Sequence, residues 1–163
     1  MSKSSILNFL NSLLLVAITA LWCAFFNNVG MENFYNYIKL PSITPPNYVF
    51  PIVWIILYSL MAISYDLILN LNENIETKTA SQLFVINLVL QIIWSFTFFF
   101  AAYFLIGFII LILLDFIVIA MIKTFYNLNK TAAFLLFPYF LWLLFATYLN
   151  WSITDLNGAV YLF

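Results

Sequence analysis

KLPSITPPNYVFPIVWIILY, residues 39–58, carries four of the five prolines of the chain (Pro41, Pro45, Pro46 and Pro51) and passes straight into an apolar run holding Trp54 and Tyr58. Proline fixes φ and disfavours helix at the residue before it, so 39–46 reads as a stiff, non-helical lead-in. Pro51 falls in the first turn of the apolar helix, where a missing N–H removes no hydrogen bond. The stretch therefore predicts a rigid cap over one end of a helical bundle. The first turns of the helix after it are expected to line a pocket beneath that cap.

Outward from this stretch the chain is 66% hydrophobic and only 7% charged, against about 25% charged in an ordinary soluble domain. Its mean hydropathy is +1.09. The reading is an all-α integral membrane protein. A single cysteine, Cys23, excludes an intrachain disulfide and a cysteine metal cluster. Five lysines, with no arginine and no histidine, give no basic patch for nucleic acid. Without histidine there is no serine–histidine pair, no imidazole for haem iron and no ordinary zinc site. No metal site and no obligatory cofactor are expected.

Five spans are predicted, at 6–26, 48–69, 83–101, 105–125 and 132–151, with a proline-rich external loop at 29–47, all in one transmembrane domain, 1–163. The first is about 30 Å of helix, matching a hydrocarbon core. A secretory signal is disfavoured because Trp22 stands before Cys23 where a small residue is wanted. Asn27, Asn28 and Gly30 are expected to end this helix, and 70–78 to form a polar turn after the second. The apolar run 83–122 would be about 60 Å long as one helix, so it must reverse, and Ala101 to Gly107 is the expected place. Pro138 is expected to kink or loosen the fifth helix. Lys3, Lys78, Lys123 and Lys130 fall on the side of the amino terminus and only Lys39 on the other, which predicts a cytoplasmic amino terminus and an external carboxyl terminus. With no long amino-terminal extension, a bacterial inner membrane is the expected location.

Polar groups recur on single helix faces. Asn87, Gln91, Trp94 and Phe98 lie at i, i+4, i+7 and i+11, and Pro138, Tyr139, Trp142, Phe145, Ala146 and Asn150 form a second stripe. Asp115 stands alone in mid-helix. In hydrocarbon such groups face inward. The amides could serve only as interhelical hydrogen bonds, contributing about 0.6 kcal/mol each. A lone tryptophan is more often a belt or packing residue. An intramembrane carboxylate is a candidate ligand contact, or a core residue paired with tyrosine. Together, indole and phenol rings with a few amides suit a flat, apolar molecule with a small polar edge, such as a porphyrin, a sterol or an aromatic drug.

The residues Pro41, Pro45, Pro46, Phe50, Trp54 and Tyr58, then Asn87, Trp94, Phe98 and Phe99, then Pro138, Tyr139, Trp142, Phe145, Ala146 and Asn150, carry a resemblance. Their patterns, KxPxxxPPxxxFxxxW and PYxxWxxFAxxLN, resemble those of the tryptophan-rich sensory protein and translocator protein family (TspO/MBR), also called the peripheral benzodiazepine receptor family. The resemblance implies a five-helix bundle, usually a homodimer, with a pocket near the first loop. It implies binding of porphyrins such as protoporphyrin IX and haem, of sterol-like lipids in some members, and of benzodiazepine-type drugs. Trp54 and Trp142 match the tryptophans implicated in light-dependent porphyrin breakdown and are the two catalytic candidates.

The ligand-binding candidates are Pro45, Phe50, Trp54, Tyr58, Asn87, Gln91, Trp94, Asp115, Tyr139, Trp142 and Ala146. Three departures from the family pattern are visible. Ile43 stands where a tryptophan often precedes Thr-Pro-Pro; WSITDLN after Asn150 lacks the basic residue of the sterol pattern; and Ala101 and Ala102 offer no GxxxG spacing for a dimer face. The expected function is a membrane receptor or carrier for tetrapyrroles. The alternatives are a light- and oxygen-dependent porphyrin-degrading protein and a structural membrane protein without ligand.

Overall fold

A computed structural model describes residues 3–160, which are helical with short connections. Helix α1 (Lys3–Gly30) continues through a π turn (Met31–Tyr35), and α2 (Val49–Leu69) comes after the loop. Helix α3 (Ile75–Ser95) also ends in a π turn (Phe96–Phe100), and α4 (Phe104–Leu128), α5 (Lys130–Leu135) and α6 (Phe137–Asn157) complete the chain. Taking α5 with α6, five segments among the described residues are long and apolar enough to cross a membrane. Their outer faces carry side chains such as Leu21, Ile55, Phe116 and Leu141, all more than 60% exposed. Helices apolar on every face belong in lipid.

Element boundaries differ from the sequence expectation chiefly at the end of the first span and the start of the third, each for a physical reason. Asn27, Asn28 and Gly30 do not end the first helical segment, which runs on from α1 through the π turn to Tyr35. The Asn27 Oδ1 accepts a hydrogen bond from Ser95 Oγ at 3.0 Å, so its polarity is used inside the bundle. Gly30 is buried, and a Cβ built on it would sit 2.6 Å from the Phe99 carbonyl oxygen. Glycine is there for close helix approach, not for termination. The non-helical segment consequently shrinks from 29–47 to residues 36–48.

The polar turn after α2 is also shorter than expected. Asn74 Oδ1 accepts from the Thr77 N–H and Thr77 Oγ1 accepts from the Asn74 N–H, both at 2.8 Å. This reciprocal cap starts α3 at Ile75, eight residues before 83, and places Glu76 and Lys78 on its first turns.

The reversal between α3 and α4 occupies residues 101–103. Its left-handed residue is Ala102, with φ 55°, and not Gly107. That conformation costs an alanine about 1–2 kcal/mol, offset by burial of Ala102 against Phe98 and Phe104. Gly107 lies inside α4, where an added Cβ would be 3.3 Å from both Asn150 Oδ1 and Phe98 Cβ. Pro138 sits in the first turn of α6, and the helix is interrupted at Leu136. Proline lacks the N–H and crowds the carbonyl four residues back, so a continuous helix through Phe134 would be broken there.

The main core lies where α2, α3, α4 and α6 meet, around Met61, Ile68, Phe84, Leu114, Tyr139 and Leu143. Tyr65 stacks on Phe84 with ring centroids 4.1 Å apart. A smaller cluster of Phe34, Ile38, Phe98, Phe104 and Ile153 fills the end beneath the proline loop. The Lys3 side chain, which contributes to the lysine asymmetry, lies outside the described residues.

The α1–α3 approach gives a direct test. Alanine at position 30 gains about 1 kcal/mol of helix propensity but overpacks a backbone contact, at a cost of about 1–3 kcal/mol. Gly30→Ala is therefore expected to lower the thermal midpoint in detergent, whereas Asn28→Ala, on the exposed face, is expected to leave it within a degree or so. An unchanged or raised midpoint for Gly30→Ala would contradict the packing described.

Candidate functional site

The proline loop is held by its backbone. The Pro41 carbonyl accepts from the Thr44 N–H at 3.0 Å and the Pro46 carbonyl from the Val49 N–H at 2.9 Å. Between them Pro45 is half-buried. At the start of the loop Ile38 is buried in the smaller cluster. Next to it, the Lys39 N–H donates to Asn157 Oδ1 and the Lys39 carbonyl accepts from Asn157 Nδ2, each at 2.8 Å. One side-chain amide from the end of α6 thus occupies both backbone groups of a loop residue.

Beneath the loop the two polar stripes meet. The Tyr58 hydroxyl donates to Gln91 Oε1 at 2.9 Å, Gln91 Nε2 donates to the Tyr139 oxygen at 3.0 Å, and the Tyr139 hydroxyl donates to Asn87 Oδ1 at 2.8 Å. The bonds run in one direction, from α2 through α3 to α6 and back to α3. Asn87, Gln91 and Tyr139 are at most 1% exposed. Trp54, one turn before Tyr58, stacks on its ring at 5.2 Å and stands 6.4 Å from the Tyr139 ring. The i, i+4 spacing of Trp54 with Tyr58, and of Asn87 with Gln91, puts each pair on one helix face.

Ser95, four residues after Gln91, extends the same face toward α1. Its Oγ lies 3.2 Å from the Cys23 carbonyl and 3.0 Å from Asn27 Oδ1, and Cys23 Sγ is 3.7 Å from the Gln91 carbonyl. Ser95, Cys23 and Asn27 were absent from the sequence-derived set. The signal for Ser95 was present, since 87, 91 and 95 share one stripe; nothing in the spacing pointed to α1.

The remaining candidates lie apart from this chain of bonds. Phe50 meets Trp142 edge-on at 5.9 Å, and Trp142 meets Phe145 at 5.5 Å, which joins the first turn of α2 to α6. Trp94 stacks on Phe98 at 6.1 Å and meets Phe99 at 5.9 Å. Ala146 packs against the main core. Asp115 bonds across α4 and α6: Thr147 Oγ1 lies 2.9 Å from its Oδ2 and 3.0 Å from the Leu143 carbonyl. Its partner is a threonine, not the tyrosine considered from the sequence. Pro138 is exposed and does not share the inward face of Tyr139.

Several buried polar atoms at this site have no protein partner: Asn87 Nδ2, Trp94 Nε1, Asp115 Oδ1 and both amide atoms of Asn150. Such atoms are costly in a low-dielectric interior, about 1–3 kcal/mol each. Asn87, Gln91 and Tyr139, at the centre of this set, are buried against one another. Grooves of about 450 and 440 Å³ open elsewhere, against α4–α6 and beside the α2–α3 turn. The sequence-derived residues are thus brought together as a packed, hydrogen-bonded cluster edged by Trp54, Trp94 and Trp142, each partly buried.

Comparison with known proteins gives a consistent result. The sequence model of the TspO/MBR family matches residues 11–156. The chain is 33% identical over 126 residues to the tryptophan-rich protein TspO of Bacillus cereus, covering 77% of this chain and 82% of that protein. It is 34% identical over 125 residues to the protein of the same name from Chlorobaculum tepidum, covering 76% and 79%. With that from Archaeoglobus fulgidus the identity is 33% over 154 residues, 94% of this chain and 99% of the other.

The Tyr139 hydroxyl joins two buried amides, whereas the Tyr58 hydroxyl bonds one amide, Gln91, and also meets the weakly polar Cys23 thiol. Tyr139→Phe leaves Gln91 Nε2 and Asn87 Oδ1 buried without partners, and is expected to cost about 2–4 kcal/mol. Tyr58→Phe is expected to cost about half as much. Thermal or denaturant unfolding in detergent measures both, and equal losses would show that Tyr139 is not the hub.

Proposed function

The chain belongs to the TspO/MBR family, and from that premise we propose that it is a membrane receptor or carrier for flat, largely apolar ligands of the porphyrin class, protoporphyrin IX or haem. The observation that carries this reading is the polarity of the buried hydrogen-bond chain. It ends on the Asn87 amide donor, and the Trp94 indole N–H is likewise unpaired. Two buried donors beside half-exposed indole rings complement a molecule with a stackable face and an acceptor-rich edge, which carboxylates or carbonyls supply. Asn150, with neither amide atom paired, adds a donor and an acceptor next to Gly107 and Phe98. Binding requires Trp54, Trp94 or Trp142 to give way, since the cluster is packed.

Sterol-like lipids and benzodiazepine-type drugs share the same shape and are further occupants under this reading. So are a homodimeric assembly and an inner-membrane orientation with the amino terminus in the cytoplasm, the latter resting on the lysine asymmetry. A second reading is light- and oxygen-dependent porphyrin breakdown that begins at an oxidised Trp54 or Trp142. It is favoured by the stacking of Trp54 on Tyr58, whose hydroxyl leads through Gln91 to Tyr139.

The test is a titration of detergent-purified protein with protoporphyrin IX, first in the dark and then under light, following tryptophan fluorescence and the Soret band. Saturable quenching with an intact Soret band is the expected result. Light-driven bleaching that is lost in Trp54→Phe would move the second reading ahead, and absence of quenching would end both. Asn150→Leu is expected to leave the unliganded thermal midpoint unchanged or raised, because it removes an unpaired amide, while weakening porphyrin binding about five- to tenfold. Only Lys39 lies at the loop end, so roughly a tenfold rise in ionic strength should move Kd less than about threefold.

A further inference from the structure

The groove between α4 and the α5–α6 break has a chemistry of its own. It measures about 450 Å³ and is lined by apolar side chains, among them Ile119, Ile122, Phe134 and Phe137, together with Lys123 and Asn127. It lies at the interruption at Leu136, which separates the six-residue α5 from α6 and leaves Phe134 and Phe137 side by side, ring centroids 6.2 Å apart and 60% and 46% exposed. Lys130 stands at the same end, its ammonium 5.5 Å from the centre of the Tyr126 ring. This end of the bundle also carries the start of α1, since Asn8 donates to the Leu69 carbonyl at the end of α2.

The charges around the groove are unbalanced. Among the described residues the one ion pair is Lys78 with Glu73, at 3.3 Å, and it belongs to the other groove, beside the α2–α3 turn. Lys123 and Lys130 have no carboxylate partner there. Lys123 lies one turn from Ile119, so a cationic rim passes within one turn into an apolar trough on the lipid-facing surface.

We propose that this groove seats one anionic phospholipid, its phosphate between Lys123 and Lys130 and one acyl chain along Ile119, Phe134 and Phe137. The trough opens to hydrocarbon, which supplies acyl chains as its natural filling. The paired cations select a negative headgroup, as basic pockets at membrane surfaces do. A second copy of this chain is a poorer occupant, because a two-fold contact here would bring Lys123 and Lys130 toward their own equivalents. The neighbouring groove lacks the property, since its lysine is already neutralised by Glu73.

The experiment is native mass spectrometry of the full chain released from mixed micelles holding equal amounts of phosphatidylglycerol and phosphatidylcholine. Phosphatidylglycerol should be retained over phosphatidylcholine by on the order of tenfold. Lys123→Gln with Lys130→Gln should abolish the preference, Lys78→Gln should preserve it, and Ile119→Trp, which fills the floor, should reduce retention of both lipids. Should the double variant fail to fold, Lys123→Gln alone and Ile119→Trp carry the same test. Equal retention by the unaltered chain would overturn the proposal. So would a preference that survives loss of both lysines, or a dimer that forms at this face in place of lipid.

Discussion

Inside a bilayer a polar group without a partner has no water to turn to, and in this bundle that constraint converges on the Tyr139 hydroxyl. It is fully buried, donates to Asn87 and accepts from Gln91, whose Oε1 in turn accepts a hydrogen bond from the Tyr58 hydroxyl. The net value of each such bond is about 1 kcal/mol, but the cost of breaking one without replacement is larger. Rotating α2, α3 or α6 about its axis would strand several of these groups at once. Apolar side chains could pack in many rotations with similar energy; the phenol and the two amides make one rotation preferable. The polar chain therefore specifies the bundle more than it stabilises it.

The same constraint is left unmet elsewhere in the interior. Where Asn150 faces Gly107, both ends of the amide lack partners, and the Trp94 indole N–H nearby is unpaired. A chain selected only for packing would carry an apolar side chain at 150, which has no orphaned atoms. Departures of this kind from an otherwise consistent fold are expected where function competes with stability. They coincide with the half-buried tryptophans and with the end closed by the proline loop.

Much of this was legible in the sequence because hydrocarbon imposes a simple code. Apolar runs of about 20 residues must be spans, and amides at i, i+4 within them must face inward. Asn87, Gln91 and Tyr139 were readable on that ground alone. The features that were not readable depended on contacts distant in the chain. Gly30 looks like a helix stop, yet it serves the approach of Phe99, 69 positions away, and nothing local distinguishes the two uses. Gly107 looks like the turn residue, but the left-handed position fell to Ala102 because the turn was fixed by bonds from Tyr103 to Thr97 and from Ala101 to Phe96. The start of α3 was hidden because its cap pairs asparagine with threonine, a weaker signal than one ending in glutamate. Which of the inward-facing groups would bond one another could not be read from composition, since stripe patterns give facing and not spacing.

The two ends of the bundle are held by interactions of different cost. The polar chain at Tyr139 is fully desolvated, and separating its helices would expose unpaired groups together with the packed core around Met61 and Phe84. The proline loop, by contrast, is tied at Lys39 by two hydrogen bonds to Asn157 that are open to solvent. Water can replace exposed bonds of that kind at about 0.5–1.5 kcal/mol each, and the prolines reduce the freedom the loop would gain on release. Lifting the loop is therefore far less costly than parting the helices beneath it. The stiffness supplied by Pro41, Pro45 and Pro46 makes the segment one unit, anchored at its start by the buried Ile38. The prolines that mark the chain so plainly in sequence thus stiffen a cap whose polar ties, at Lys39, are weaker than the buried chain of bonds at Tyr139.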